Sequence, residues 1–235
     1  MAYVMRQILV GVPVTLLLAV LAWILCGLLA LPITGLVRSR LLPLRVLGDL
    51  ITMFVRGVPE LVALFVVFFG LQQYVSLSPL DAAIIAFGIV EAPFASEIYR
   101  ASLTTVQRGQ RDAADSIGLN RLQGFVHVVL PQAVRFAIPP MINLFIGMLN
   151  LSSVAAAIGV NDVIQRANFL MSASTGGLRF LATTGGICII YLVMVAPVSY
   201  VSRLIERRMR RDLFGARAPR RLWQRSIVIR GSGAA

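Results

Sequence analysis

The stretch Ile8–Val37 reads ILVGVPVTLLLAVLAWILCGLLALPITGLV and contains no charged residue. About 20 consecutive apolar residues are enough to cross the hydrocarbon layer of a bilayer. Three further uncharged runs follow, at Leu61–Leu80, Phe136–Asn161 and Phe180–Ser202. Since 58% of the 235 residues are hydrophobic, a soluble domain of this size could not bury them. The sequence therefore predicts an all-α, multi-pass membrane protein.

Polar residues between the apolar runs set the limits of five predicted transmembrane helices. The spans are predicted at about residues 8–31, 50–74, 80–102, 134–153 and 180–205. Residues 161–174 are predicted as a short surface helix. Pro139-Pro140 is expected to kink or start the fourth span, because two backbone donors are missing there. Residues 1–212 then form one transmembrane domain, followed by a basic tail at 213–235.

The net charge of +12 comes from 22 arginines, with no lysine anywhere in the chain. Eighteen of them lie near the linker between spans one and two, near residues 106–131, or in the C-terminal tail. Five spans place these three regions on one side, and the positive-inside rule makes that side cytoplasmic. The N-terminus is then outside and the C-terminus cytoplasmic. Arginines at the ends of apolar spans favour a membrane over a nucleic-acid partner, and the basic tail is expected to contact anionic membrane lipids.

Cysteine and histidine usage argues against a metal site or a disulfide framework. Cys26 and Cys188 both lie inside apolar runs, and the chain has one histidine, His127. The first apolar run is too long for the core of a signal peptide, so it is interpreted as a retained span.

Residues 106–131 form the longest polar segment between the two apolar halves. Ala113, Ala114 and Ile117 share one helical face. Gly118 is predicted to end this helix in a left-handed conformation. Asn120 can cap the next helix, with Gln123 three residues on as its reciprocal partner. The segment is therefore predicted as a short amphipathic helix, a tight turn and a second helix, which together protrude from the membrane.

The spacing inside this segment carries a family resemblance. Asp112-Ala113-Ala114 is followed after three residues by Gly118, and after nine more by Val128-Val129-Leu130-Pro131. This pattern resembles the EAA loop of the permease subunits of bacterial ABC importers, with aspartate in place of the usual glutamate. The match falls on the side that the arginines predict to be cytoplasmic.

Other short stretches resemble the polar amino-acid subfamily of these permeases, whose members carry histidine, glutamine, basic amino acids or opines. The resemblance covers about residues 10–210. The stretches are Arg56-Gly57-Val58-Pro59, Glu97-Ile98-Tyr99-Arg100, Gly109-Gln110, Leu130-Pro131-Gln132-Ala133 and Pro139-Pro140.

The resemblance implies that the polar segment contains a coupling helix, which docks into a groove on an ATP-hydrolysing subunit. Gly109 and Gln110 would enter the groove, and Gly118 would turn the chain out of it. The residues that would line the groove are Asp112, Ala113 and Ala114.

The resemblance also implies a set of partners in the bacterial inner membrane. These are a dimer of ATP-binding subunits carrying ATP and magnesium, a second permease subunit, identical or similar, and an extracytoplasmic solute-binding protein. The chain itself has no phosphate-binding loop and no lysine to build one, so it is expected to be a transport subunit without a cofactor or enzymatic activity of its own.

Charged residues within spans are costly and are usually paired or functional. Arg56 and Glu60 are four residues apart and can pair along one helix face, as can Glu97 and Arg100 at three. Arg56 and Glu60 could instead line the translocation path. Glu91 has no arginine at helical spacing. It could pair with another helix, for example through Arg56, or be protonated, or face the path as a carboxylate.

Three polar residues late in the fourth span are further candidates for the path. Asn150, Ser152 and Ser153 could line it or hydrogen-bond neighbouring helices. The family usually carries a Lys-Asp-Thr-Ser-Leu-like run here, whereas this chain has Asn150-Leu151-Ser152-Ser153-Val154. Any substrate contact or gate ion pair that those charges serve in relatives is therefore not expected to carry over to this chain. Together, Glu60 and Glu91 favour a cationic solute such as a basic amino acid or an opine.

Two other classes of function compete with an importer permease. A secondary transporter or channel would be supported by an inverted internal repeat, which the sequence does not show. A non-transporting membrane partner of an ATPase would share the coupling element but would need no polar path.

Overall fold

The computed structural model describes residues 2–172 and 177–214, and every regular element in these ranges is helical. The helices are α1 (Ala2–Leu9), α2 (Val12–Val37), α3 (Leu42–Gly57), α4 (Glu60–Leu71), α5 (Pro79–Thr105), α6 (Arg108–Ser116), α7 (Arg121–Gly124), α8 (Leu130–Leu151), α9 (Val163–Ser172) and α10 (Gly177–Phe214). A π-helical turn at Phe125–Val129 joins α7 to α8, and a 3-10 segment at Ser152–Ile158 extends α8. The all-α prediction is confirmed for these residues.

Four described helical stretches are long and apolar enough to cross a membrane. They are Met5–Val37, Pro79–Thr105, Arg121–Ile158 and Phe180–Met209. The pair α3 and α4 passes the same test only when taken together, so the count rises to five if that pair is one span. These apolar helices are those of a multi-pass membrane protein.

The second predicted span, residues 50–74, is not one continuous helix. α3 ends at Gly57 and α4 begins at Glu60, with a bend of 96° between them. Val58 and Pro59 are both extended, with ψ of 121° and 140°. Proline lacks an amide donor and disfavours helical geometry in the residue before it, which explains the break.

Other helices extend beyond the predicted spans. α2 continues past Leu31 to Val37 with Pro32 inside it, and α10 reaches Phe214. α8 runs through Pro139-Pro140, so the expectation that the helix could start there is wrong. Residues 215–235, most of the predicted basic tail, lie outside the described residues.

The main core forms where α2 packs against α5. Small side chains on both helices, including Ala22 and Ala86, are fully buried and allow close approach of the backbones. Gly88 shows how close this approach is, because a Cβ there would lie 2.7 Å from Cδ2 of Leu25. The Thr34 hydroxyl bridges to the Ser96 hydroxyl at 3.0 Å and fixes the register of the two helices.

A second cluster joins the N-terminus to α9 and α10. Ile8, Val163 and Ala167 are buried in it, so the predicted surface helix at 161–174 is a helix with a buried inner face. Gly11 contacts the start of α9 so closely that a Cβ would lie 2.6 Å from the backbone of Asp162. Only glycine fits at this crossing.

Candidate functional site

The polar segment 106–131 folds as a helix, a turn and a second helix. After α6, the amide of Leu119 donates to the carbonyl of Ala114 at 3.2 Å, and the amide of Gly118 donates to that of Asp115 at 3.1 Å. Gly118 has a φ of +80°, the left-handed conformation that glycine adopts without strain. The predicted role of Gly118 at the helix end is confirmed.

The second helix begins with the predicted capping box. The Gln123 amide donates to Oδ1 of Asn120 at 2.9 Å, and the Asn120 amide donates to Oε1 of Gln123 at 3.0 Å. From Arg121 the chain continues without a sharp bend through the π-helical turn into α8, as far as Ile158. The turn at Gly118 is therefore joined to a membrane-crossing helix by continuous helical structure.

The six candidate coupling residues divide between two faces of α6 and its turn. Ala114 is buried, and it packs so near Gly124 that a Cβ on that glycine would lie 3.5 Å from the Ala114 methyl group. The other five are exposed: Gly109, Gln110, Asp112, Ala113 and Gly118. Ala114 therefore holds the two helices together, and it does not lie on the exposed face in this conformation.

Two large apolar side chains accompany the exposed residues, and the sequence interpretation did not single them out as contacts. Ile117 is 75% exposed and Leu122 is 71% exposed. The available signal was position, because both side chains flank the Gly118 turn; Ile117 is exposed although it lies three residues after the buried Ala114. Exposed apolar side chains indicate an interaction site when they are grouped in a patch, which makes Ile117 and Leu122 candidate contacts beside the turn.

Two hydrogen bonds tie α6 to the neighbouring spans. The Gln132 amide nitrogen donates to Oε1 of Gln110 at 3.3 Å, and Arg111 donates to the carbonyl of Leu103 at 3.3 Å. These two bonds connect α6 to α5 and to α8.

The intramembrane charges pair differently from the prediction. Arg56 forms an ion pair with Glu97 on α5, and its guanidinium lies 4.5 Å from the ring centroid of Phe94. The expected pair between Arg56 and Glu60 is wrong, since the helix breaks between these residues and the spacing of four no longer places them on one face. The expected pair between Glu97 and Arg100 is confirmed at 3.6 Å.

Glu60 and Glu91 are brought near one another. Glu60 begins α4 and Glu91 lies on α5, and the two carboxyl groups are within electrostatic reach of each other. Within the described ranges, neither carboxylate is in an ion pair, and Arg56 is occupied by Glu97.

The three polar residues after the proline pair do not act as one group. Asn150 is exposed, and its carbonyl accepts a hydrogen bond from Ser153 at 2.7 Å. Ser152 is fully buried, donates to the carbonyl of Leu149 at 2.7 Å and lies 3.4 Å from the Tyr191 hydroxyl. In this conformation Ser152 connects the end of α8 to α10. It therefore follows the second of the two predicted alternatives, a hydrogen bond between neighbouring helices, and does not line the path.

Asp162 is a polar residue whose burial the sequence did not reveal. It is completely buried at the start of α9, where its Oδ1 accepts from the Gln165 amide at 2.7 Å and its Oδ2 has no described partner. Burial raises the pKa of Asp162 to about 6, although backbone hydrogen bonds oppose the shift. Among the residues described, no cluster of three or more His, Cys, Asp or Glu could hold a metal ion.

Comparison with known proteins identifies the family. Residues 2–211 match the family described as binding-protein-dependent transport system inner membrane component. The probable amino-acid permease protein YxeN of Bacillus subtilis is 34% identical over 203 residues, which is 85% of this chain and 89% of the relative. The L-cystine transport system permease protein TcyB of the same organism is also 34% identical over 203 residues, covering 86% of each chain.

A solved structure supports the same assignment. A crystal structure of an amino acid ABC transporter with histidines aligns with a TM-score of 0.77 and 30% identity, covering 86% of this chain and 94% of that one. These matches favour the importer over the two competing classes of function. The chain belongs to the family of binding-protein-dependent transport system inner membrane components, and it is a permease subunit of an ABC importer for amino acids.

Proposed function

We propose that this permease crosses the bacterial inner membrane five times, with its N-terminus outside and its C-terminus in the cytoplasm. The bent pair α3 and α4 then counts as one crossing. The proposal is supported by the arginines, 18 of which fall near three regions that five crossings place on one side. An impermeant maleimide should then label Ser76→Cys in intact cells and Ser116→Cys only after permeabilisation, in a chain without Cys26 and Cys188.

We further propose that α6 is the coupling helix and docks on an ATP-binding subunit. The observation that carries this proposal is the continuity of helical structure from Arg121 to Ile158, directly behind the turn at Gly118. A rotation of α6 driven by ATP would be carried by this rigid connection into the membrane. The exposed Gly109, Gln110, Asp112 and Ala113 would contact the ATPase, with Ile117 and Leu122 beside them.

The ATP and its magnesium are proposed to lie on the partner, as a dimer of ATP-binding subunits. A second permease subunit is expected to complete the path, because one chain with four or five crossings cannot enclose it. Its docking surface would lie among the exposed apolar side chains of α4, where Val66 is 63% and Phe69 is 61% exposed. A solute-binding protein would deliver the amino acid from outside.

We propose a basic amino acid or an opine as the solute. Glu60 and Glu91 form a pair of carboxylates without a cationic partner among the described residues, and a cationic solute would supply that partner. Arg56 would hold α3 against α5 beside this pair. Asn150 and Ser153 would offer polar contacts to the solute further along the translocation path. Ser152 would line the path with Asn150 and Ser153 only after α10 moves away from it.

The proposal on the solute is tested by uptake into proteoliposomes that contain the assembled importer. Glu91→Gln should weaken arginine uptake, whereas the matched substitution Asp49→Asn, of an exposed carboxyl outside the pair, should not. Unchanged arginine uptake by Glu91→Gln would remove this carboxylate from the account.

A further inference from the structure

An apolar groove and a basic pocket meet at one side chain on the predicted cytoplasmic side. The groove, about 540 Å³, lies between α2, α5 and α8. The pocket, about 400 Å³, lies between the end of α2 and the coupling element. Phe125 lines both, so the two cavities adjoin at this side chain.

The groove has the length and chemistry of a lipid chain. It extends along α2 from Trp23 to Thr34, a rise of roughly 16 Å, which matches one leaflet of about 15 Å. Apolar side chains dominate the lining, and Leu31 and Val134 are 59% and 50% exposed. The exposure of these two side chains leaves the groove accessible from outside the described helices.

The pocket at the end of the groove is strongly basic. Arg38 and Arg40 follow α2, Arg111 lies on α6 and Arg121 begins α7. All four are exposed, and in the part of the chain that the structure describes none of them is in an ion pair. Asp115 is the one carboxylate in the lining, so the pocket carries a net charge of +3. Guanidinium groups bind phosphate oxygens through paired, charge-assisted hydrogen bonds.

We propose that this surface binds one anionic phospholipid, with its phosphate against Arg38, Arg40, Arg111 and Arg121 and an acyl chain in the groove. The adjoining apolar groove distinguishes this occupant from a free phosphate, which would use the arginines alone. The inference rests on the cytoplasmic placement of the coupling element proposed above. The bound lipid would connect the first span to the coupling element, so that anionic lipid content sets how firmly α6 is held.

Trp23 lies in the groove and reports on its occupant. The full-length chain is placed in nanodiscs of phosphatidylcholine that contain a minor fraction of either brominated phosphatidylglycerol or brominated phosphatidylcholine. The fluorescence of a Trp23→Phe chain is subtracted, which removes the signal of the other tryptophan. We expect brominated phosphatidylglycerol to quench Trp23 more strongly than brominated phosphatidylcholine at the same fraction.

Substitution of the arginines tests the headgroup site. Arg121→Gln or Arg38→Gln should lower the preference for phosphatidylglycerol about fivefold each. Arg203→Gln, an exposed arginine of α10 outside the pocket, is the matched control and should retain the preference. Equal quenching by the two brominated lipids, or an equal loss in all three variants, would overturn the proposal.

The same measurement in the presence of the ATP-binding subunit separates a lipid from an acidic partner segment. We expect the excess quenching to persist in the assembled importer. Its disappearance on assembly would assign the arginines to the partner protein and overturn the lipid site. Failure of the ATPase to associate at all would instead contradict the proposed function, while the measurement on the chain alone would still decide the lipid site.

Discussion

The guanidinium of Arg56 pairs with the carboxylate of Glu97, which lies 41 positions later in the chain. The pair fastens the last turn of α3 to α5 two residues before the chain bends at Val58-Pro59. Arg56 also lies over the ring of Phe94, which adds a cation–π contact from the same helix. A bent segment is thus fixed at its bend to a helix of the core.

A double-mutant cycle distinguishes this pair from the one that the sequence spacing favours. We expect Arg56→Gln and Glu97→Gln to be coupled by about 0.5–1 kcal/mol, because both side chains are partly exposed and screened. Arg56→Gln and Glu60→Gln should show no measurable coupling. Thermal unfolding in detergent gives both values, and stronger coupling to Glu60 would contradict the observed pairing.

Gly118 should tolerate substitution poorly although it has open space around it. Its φ of +80° costs an alanine about 1–2 kcal/mol. We expect Gly118→Ala to increase hydrogen exchange across residues 113–119 and Gly118→Asn to do so less. Gly109→Ala is the control, because Gly109 is also uncrowded but has a negative φ. Equal exchange in Gly118→Ala and Gly109→Ala would show that the left-handed turn is not required.

Asp162 should make stability depend on pH in the direction opposite to an ordinary salt-bridged aspartate. Its pKa rises from 3.8 to about 6 on folding, so the folded chain binds a proton more tightly than the unfolded chain. The contribution of the bound proton on Asp162 to the free energy of unfolding is fully present below pH 4. It is lost as the pH rises through about 6, a change of roughly 3 kcal/mol.

Asp162→Asn removes the titrating group and tests this sign. We expect the variant to lose most of the change in thermal stability between about pH 4 and pH 7, and to be at least as stable as the parent near neutrality. The exposed Asp49→Asn should keep the parent's pH dependence. A parent that becomes more stable over the same interval would show that Asp162 does not titrate as its burial predicts.

Local signals in the sequence predicted local structure well. The capping box of Asn120 and Gln123 and the left-handed Gly118 depend on residues within a few positions of each other, and both are confirmed. The apolar runs likewise predicted the membrane class, since length and composition alone decide whether a helix can cross a bilayer.

Features that depend on tertiary packing could not be predicted in the same way. The Arg56–Glu60 spacing assumed a continuous helix, but Pro59 ends that helix and exposes Arg56 to a carboxylate on α5. Asp162 lies in the segment that the sequence predicts at the surface, yet it is fully buried where Gly11 crosses the start of α9. Ala114 looks equivalent to Ala113 in the motif, and only the packing against Gly124 separates their roles.

The most direct test of the account is ATP hydrolysis by the importer reconstituted with Ala113→Trp. Ala113 lies on the exposed face of α6, so a bulky side chain there should block docking without disturbing the core. Ser76→Trp, at a small exposed position in the turn before α5, is the control. We predict that Ala113→Trp lowers both co-purification of the ATP-binding subunit and solute-stimulated hydrolysis, whereas Ser76→Trp retains the bound ATPase. Full association and full solute stimulation in Ala113→Trp would contradict the assignment of α6 as the coupling helix.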